Sequence, residues 1–181
     1  MNFWRRIPGN EIGWHLKIEI MKRLILVRHG KSAWDNNLPD EKRPLKKRAY
    51  NDAARVLKTF KEFQSDNLTL WSSPAVRAYT TAKIFKDELH IPDEKFSVKK
   101  ELYTFDEAHL LSVVKSCPDE VKKLMIFGHN PGMTALVNKL GDKSVDNLPT
   151  TGLCVIDFES DTWKDIKNGK TLLQLFPKKL R

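Results

Sequence analysis

The sequence predicts an α/β fold on a largely parallel sheet, and three observations lead there. Apolar runs of strand length alternate with longer stretches of helical spacing. The chain has 181 residues, 40% of them apolar, enough for one domain with one core and short for two. Two apolar runs, "LILV" and "LMIF", end alike: the first in Arg28-His29-Gly30, the second in Gly128-His129.

The elements follow in order. Residues 1–20 show no clear period, carry Pro8, Gly9 and Gly13, and are expected to be an N-terminal extension, with the domain spanning 21–181. Met21 to Val27 reads as an apolar strand. Lys46 to Phe63 places Ala49, Ala53, Val56, Leu57, Phe60 and Phe63 at helical spacing. "NLTLWSS" alternates as a strand. Pro74 to Leu89 is predicted helical, with Ser73 as N-cap and Pro74 as its first residue. Asp106 to Lys115 is a shorter helix and Lys122 to Phe127 a third strand. Asn130 and Pro131 are expected to cap and open a helix that runs to Leu140 and stops at Gly141. "GLCVIDF" and "TLLQLF" are late strands, separated by the polar turn "ESDTWKDIKNG".

Composition narrows the classes of function. No apolar run approaches the ~20 residues that span a bilayer, and the N-terminus lacks the apolar stretch of a secretory signal. Cys117 and Cys154 have neither metal-ligand spacing nor a disulfide framework and suit a reducing compartment, so a cytoplasmic location is expected. The net charge of +9 fits an anionic partner. Its lysines and arginines are scattered, with no basic arm and no interleaved aromatic residues, which argues against nucleic acid.

The chemistry collects where strands end, since ligand sites of open α/β sheets lie at that edge. Arg28 and His29 put a cation and an imidazole there, and Gly30 lets the backbone turn close to a ligand. His129 sits just before a predicted helix N-terminus, where an anion is favoured. Arg77, in the first turn of the helix after "SSP", can reach back over the same edge. Each residue alone is compatible with a structural role. Together they give two guanidiniums and two imidazoles, a cage for a phosphoryl group. No acidic cluster or His/Cys set points to a metal, and "GHNPGM" lacks the ending of a phosphate-binding P-loop, so no cofactor is expected. Lys31 and Ser32 are candidates to add a cation and a donor, or simply to cap the turn. His15, His90 and His109 read as surface residues.

"LVRHGKS", "SSPAVRAYTTA" and "IFGHNPG" resemble, in that order, the three signature segments of the histidine phosphatase superfamily. "RPLKKR" and the closing "FPKKL" look like its small SixA-type branch. The resemblance covers residues 21 to about 178 and implies a three-layer α/β/α sandwich of the phosphoglycerate mutase-like kind. It implies His29 as the nucleophile and a phosphohistidine enzyme intermediate. Arg28, Arg77 and His129 would hold the phosphoryl oxygens, with Gly30, Lys31, Ser32 and Asn130 lining the substrate. The implied substrate is phosphohistidine in a protein. The alternatives are a small phosphate ester, or a module that binds phosphate without turnover. Three departures stand out. Ala49 occupies a position where relatives carry Gly, and Lys42 stands where an acid is expected. The general acid has no clear match: Glu101, Asp106 and Glu107 are the candidates. A phosphohistidine substrate needs less acid help than an ester, because imidazole leaves more readily than an alkoxide.

Overall fold

Six strands form one sheet in the order β3-β2-β4-β1-β5-β6 in the computed structural model, which describes residues 22–34, 37–63 and 66–180. The elements are β1 (Lys22–Arg28), α1 (Lys47–Phe63), β2 (Leu68–Ser72), α2 (Val76–Glu88), β3 (Phe96–Val98), α3 (Glu107–Lys115), β4 (Lys123–Gly128), α4 (Gly132–Leu140), β5 (Leu153–Phe158) and β6 (Lys170–Leu175). The expected extension, residues 1–20, lies outside the described residues. β1 pairs in parallel with β4, and β4 in parallel with β2, which carries β3 at the edge. β5 runs antiparallel to both β1 and β6.

The predicted three-layer sandwich is observed. β1 and β4 are apolar on both faces, as a central strand covered twice must be. Ile25, Val27, Met125 and Phe127 face α1 and α2, packing on Val56, Phe60, Ala82 and Phe85. Leu24, Leu26, Leu124 and Ile126 face α3 and α4, packing on Leu110, Val114, Met133 and Leu136. The run "ESDTWKDIKNG" is more than a polar turn: Trp163 and Ile166 are buried in the second of these clusters, and Trp163 donates its indole N–H to the Val121 carbonyl at 2.7 Å.

Two helix starts differ from the sequence reading for one shared reason. α2 begins at Val76 rather than Pro74, and no side chain caps it. Ser73 instead bonds His129 Nε2 through its hydroxyl at 2.8 Å. α4 begins at Gly132, with Pro131 in the cap position behind a cis Asn130–Pro131 peptide. The Asn130 amide donates to Asn147 Oδ1 at 2.8 Å and to the Leu148 carbonyl at 3.1 Å. Both expected caps are thus drawn away from their helices toward the sheet edge. Gly141 ends α4 in extended backbone (φ −94°), not in the left-handed cap that glycine favours. The strand β3 is too short, at three residues, to show a period in sequence.

Candidate active site

The parallel pairing of β1 with β4 aligns Arg28 with Gly128, so His29 and His129 leave the sheet side by side. Their ring centroids stand 5.1 Å apart. The register thus brings together two residues 100 positions apart in sequence. The loop before β5 folds over this edge. The Thr151 backbone N–H donates to the carbonyls of Arg28 (3.0 Å) and His29 (3.2 Å). Thr151 is buried in left-handed backbone (φ 60°), a conformation that costs a β-branched residue energy and that this double contact holds in place.

His29 is hydrogen-bonded at both ring nitrogens. Its Nδ1 lies 2.8 Å from the Gly30 carbonyl, which only accepts, so Nδ1 carries the hydrogen. The lone pair is therefore on Nε2, where Arg77 Nε donates at 3.3 Å. Arg77 is anchored from behind: Thr81 donates its hydroxyl to the Arg77 carbonyl (2.6 Å) and accepts the Gly30 N–H (2.9 Å). This links the start of α2 to the end of β1. Gly30 also lets α1 pack close to this strand end, because a Cβ there would stand 2.9 Å from the Ala49 Cβ.

Both imidazoles are neutral at pH 7. Burial first, and then the Arg77, Arg28 and Arg43 guanidiniums, lower the His29 pKa to about 4 despite the Gly30 hydrogen bond. Burial, with His29 and Arg77 beside it, lowers His129 to about 3. The rings of Tyr103 and Phe105 pack edge-on against His129, at 5.3 and 5.7 Å between centroids. His129 Nδ1 is buried with no hydrogen-bond partner.

Arg28, His29, Arg77, His129, Lys31, Ser32 and Asn130 all line one cavity of about 240 Å³. Gly30 supports it through its backbone. Ser32 is buried in the cavity wall, where its hydroxyl accepts from Arg43 Nη2 at 2.6 Å and positions that guanidinium. The Arg28 Nη1 is drawn aside by the Leu148 carbonyl at 2.9 Å, while its Nε has no partner.

None of the expected acids is in the cavity. Asp106 caps α3 by accepting the His109 N–H at 2.7 Å. Glu107 pairs with Lys139 at 3.2 Å. Glu101 lies exposed on the short 3₁₀ turn Lys100–Leu102. The carboxylate that lines the cavity is Asp40, on the 3₁₀ turn Asp40–Lys42. It accepts from Arg77 Nη2 (2.8 Å), Arg43 Nη1 (2.8 Å) and the Tyr103 hydroxyl (2.9 Å). Partial burial alone would raise its pKa, but these donors outweigh burial and lower it to about 2. The expected acid position, Lys42, is two residues away on the same turn. Arg43, in the quoted "RPLKKR", and Trp34 complete the wall. The Arg43 guanidinium stacks 3.9 Å over the Trp34 ring. Among the described residues, four cations and one carboxylate therefore face the cavity.

An α/β protein with this edge is built to hold a phosphoryl group beside a neutral imidazole. The sequence profile of the histidine phosphatase superfamily (branch 1) matches residues 24–103. The solved structure of the protein histidine phosphatase SixA complexed with tungstate superposes with a TM-score of 0.70, at 23% identity, covering 88% of this chain and 99% of that one. The putative phosphohistidine phosphatase SixA of Agrobacterium tumefaciens superposes at 0.71 with 25% identity, covering 86% and 98%. An uncharacterized chloroplastic protein of Arabidopsis thaliana is 28% identical over 157 residues, 81% of this chain and 71% of that protein. The chain is thus similar to the histidine phosphatase superfamily over residues 24–103 and, in its fold, to SixA phosphohistidine phosphatases.

Proposed function

We propose that the chain removes phosphate from phosphohistidine in proteins, using His29 as nucleophile. The observation that carries this is the His29 Nε2 lone pair, fixed by the Gly30 carbonyl and opening into a cavity of guanidiniums. Nε2 attacks phosphorus and the substrate P–N bond breaks. The leaving imidazole takes that electron pair and departs neutral when its other nitrogen holds a proton. Arg28, Arg77, Arg43 and the unpartnered His129 Nδ1, as an N–H, stabilise the phosphoryl oxygens. Water then attacks the phosphorus and the bond to His29 breaks. Because His29 keeps its Nδ1 hydrogen on Gly30, it also leaves neutral. No step requires a carboxylic acid.

Two further features favour a protein substrate. The exposed Trp34 (77%) and half-exposed Phe105 flank the cavity mouth, a rim suited to a protein surface. Between α2 and β4, the described chain adds only short 3₁₀ turns, β3 and α3, with no separate cap. One observation favours small esters instead. Asp40 occupies Arg77, and a bound phosphoryl group competing for that guanidinium would raise the Asp40 pKa and make it a proton donor.

The test is phosphate release from a phosphohistidine protein and from an aryl phosphate, with wild type and His29→Ala. We expect at least a tenfold preference in kcat/KM for phosphohistidine, and its loss in His29→Ala. Preference for the ester moves the assignment to a phosphomonoesterase. Phosphate binding without turnover of either substrate supports a binding module.

A further inference from the structure

Beside the cavity that holds His29 lies a second one, of about 260 Å³, lined by Arg28, Lys31, Arg48, Lys178, Asn147 and Thr150 together with two prolines. The two cavities share Arg28, Lys31 and Thr150, so they are neighbours across one wall. Among the described residues, four cations line the second cavity and no carboxylate does. They come from three separate parts of the chain: the end of β1, the first turn of α1 and the closing 3₁₀ turn Pro177–Leu180, which rests on α1.

Electrostatics makes this arrangement unfavourable when empty. Like charges repel, and α1 opens on Lys47 and Arg48 with no acid in its first turn, against the preference of a helix N-terminus for negative charge. Asp52 offsets this only in part. It accepts from Arg48 Nε at 3.1 Å, but from Arg55 at 3.1 Å as well. The Arg28 Nε, in the shared wall, has no hydrogen-bond partner.

We propose that the second cavity is an anion subsite, receiving a carboxylate or phosphate group of the same substrate whose phosphoryl group sits at His29. This rests on the phosphatase reading above and adds a requirement to it: the substrate carries a second negative group beside the first. In a phosphoprotein that group is an acidic residue flanking the phosphohistidine. Arg28, reaching both cavities, bridges the two anions, and Lys31 and Lys178 hold the second.

Lys178 lines only the second cavity and is exposed, so it can be changed without touching the His29 cage. Binding of orthophosphate and of tripolyphosphate is measured by calorimetry at fixed ionic strength for wild type and Lys178→Glu. We expect about a tenfold loss for tripolyphosphate and less than a twofold change for orthophosphate. Equal losses for both ligands, or none for either, overturn the subsite. A second arm uses two phosphohistidine peptides, with Asp or Asn beside the phosphohistidine. Wild type should turn over the Asp peptide at least fivefold faster in kcat/KM, and Lys178→Glu should abolish that preference. Equal rates on the two peptides in wild type, with tripolyphosphate still sensitive to Lys178, assign the subsite to phosphate rather than to a carboxylate. Turnover of neither peptide, with the tripolyphosphate loss intact, refutes the phosphohistidine substrate and supports the subsite.

Discussion

His29 and Asp40 set the pH behaviour of the site from opposite sides. As the proposed nucleophile, His29 must be neutral, and burial with three nearby guanidiniums lowers its pKa to about 4. Protonation therefore removes the nucleophile only below about pH 4, not near 6.5. The kcat/KM profile, which reports the free enzyme, should stay flat down through pH 5 and fall below about 4; an acid limb centred above 6 would contradict this account. Removing the ring in His29→Ala should cost at least about a thousandfold in kcat. Asp40 competes with substrate for Arg77. Asp40→Asn keeps the shape and drops the charge, so orthophosphate should bind several-fold more tightly by calorimetry. If Asp40 donates a proton to esters, the same variant should slow aryl phosphate turnover more than phosphohistidine turnover. The four cage residues were legible in sequence because each stands at a fixed offset from a strand end or a helix start. Asp40 was not. It lies on a 3₁₀ turn with no period, and only the three-dimensional approach of Arg77 and Tyr103 singles it out among 23 acidic residues.

The elements themselves are what sequence periodicity reads well, and α1 came within one residue at its start. The misplaced starts of α2 and α4 show the limit of local capping rules. Ser73 and Asn130 are good caps in isolation, but each makes a stronger tertiary bond, to His129 and to the 147–148 loop. A cap signal beside a functional strand end can therefore mark the site instead of the helix. At the junction of β1 and α1, Gly30 and Ala49 are fitted to each other. Gly30→Ala places two methyl carbons about 2.9 Å apart, and overpacking of this kind costs typically about 1–3 kcal/mol. Adding Ala49→Gly should restore much of that loss in a denaturant titration. Additive losses in the double variant would show that the two positions are not in contact.

Across the whole molecule, charge and topology carry separate consequences. The protein's net charge of +9 attracts anions over distance, and under the proposed function it would draw in an acidic phosphoprotein. Its kcat/KM for such a substrate should fall steeply between 50 and 500 mM salt, through slower encounter, while an aryl phosphate changes far less. A flat response for both would assign no steering role to the surface charge. Topology acts on time instead. β1 sits between β4 and β5, and the loop that grips His29 spans residues 147–151, so His29 is made well before its supports. A growing chain on the ribosome holds His29 long before Gly128 or Thr151 exists. Until β4 and the 147–151 loop have been made and have taken their places beside β1, the cage around His29 cannot form.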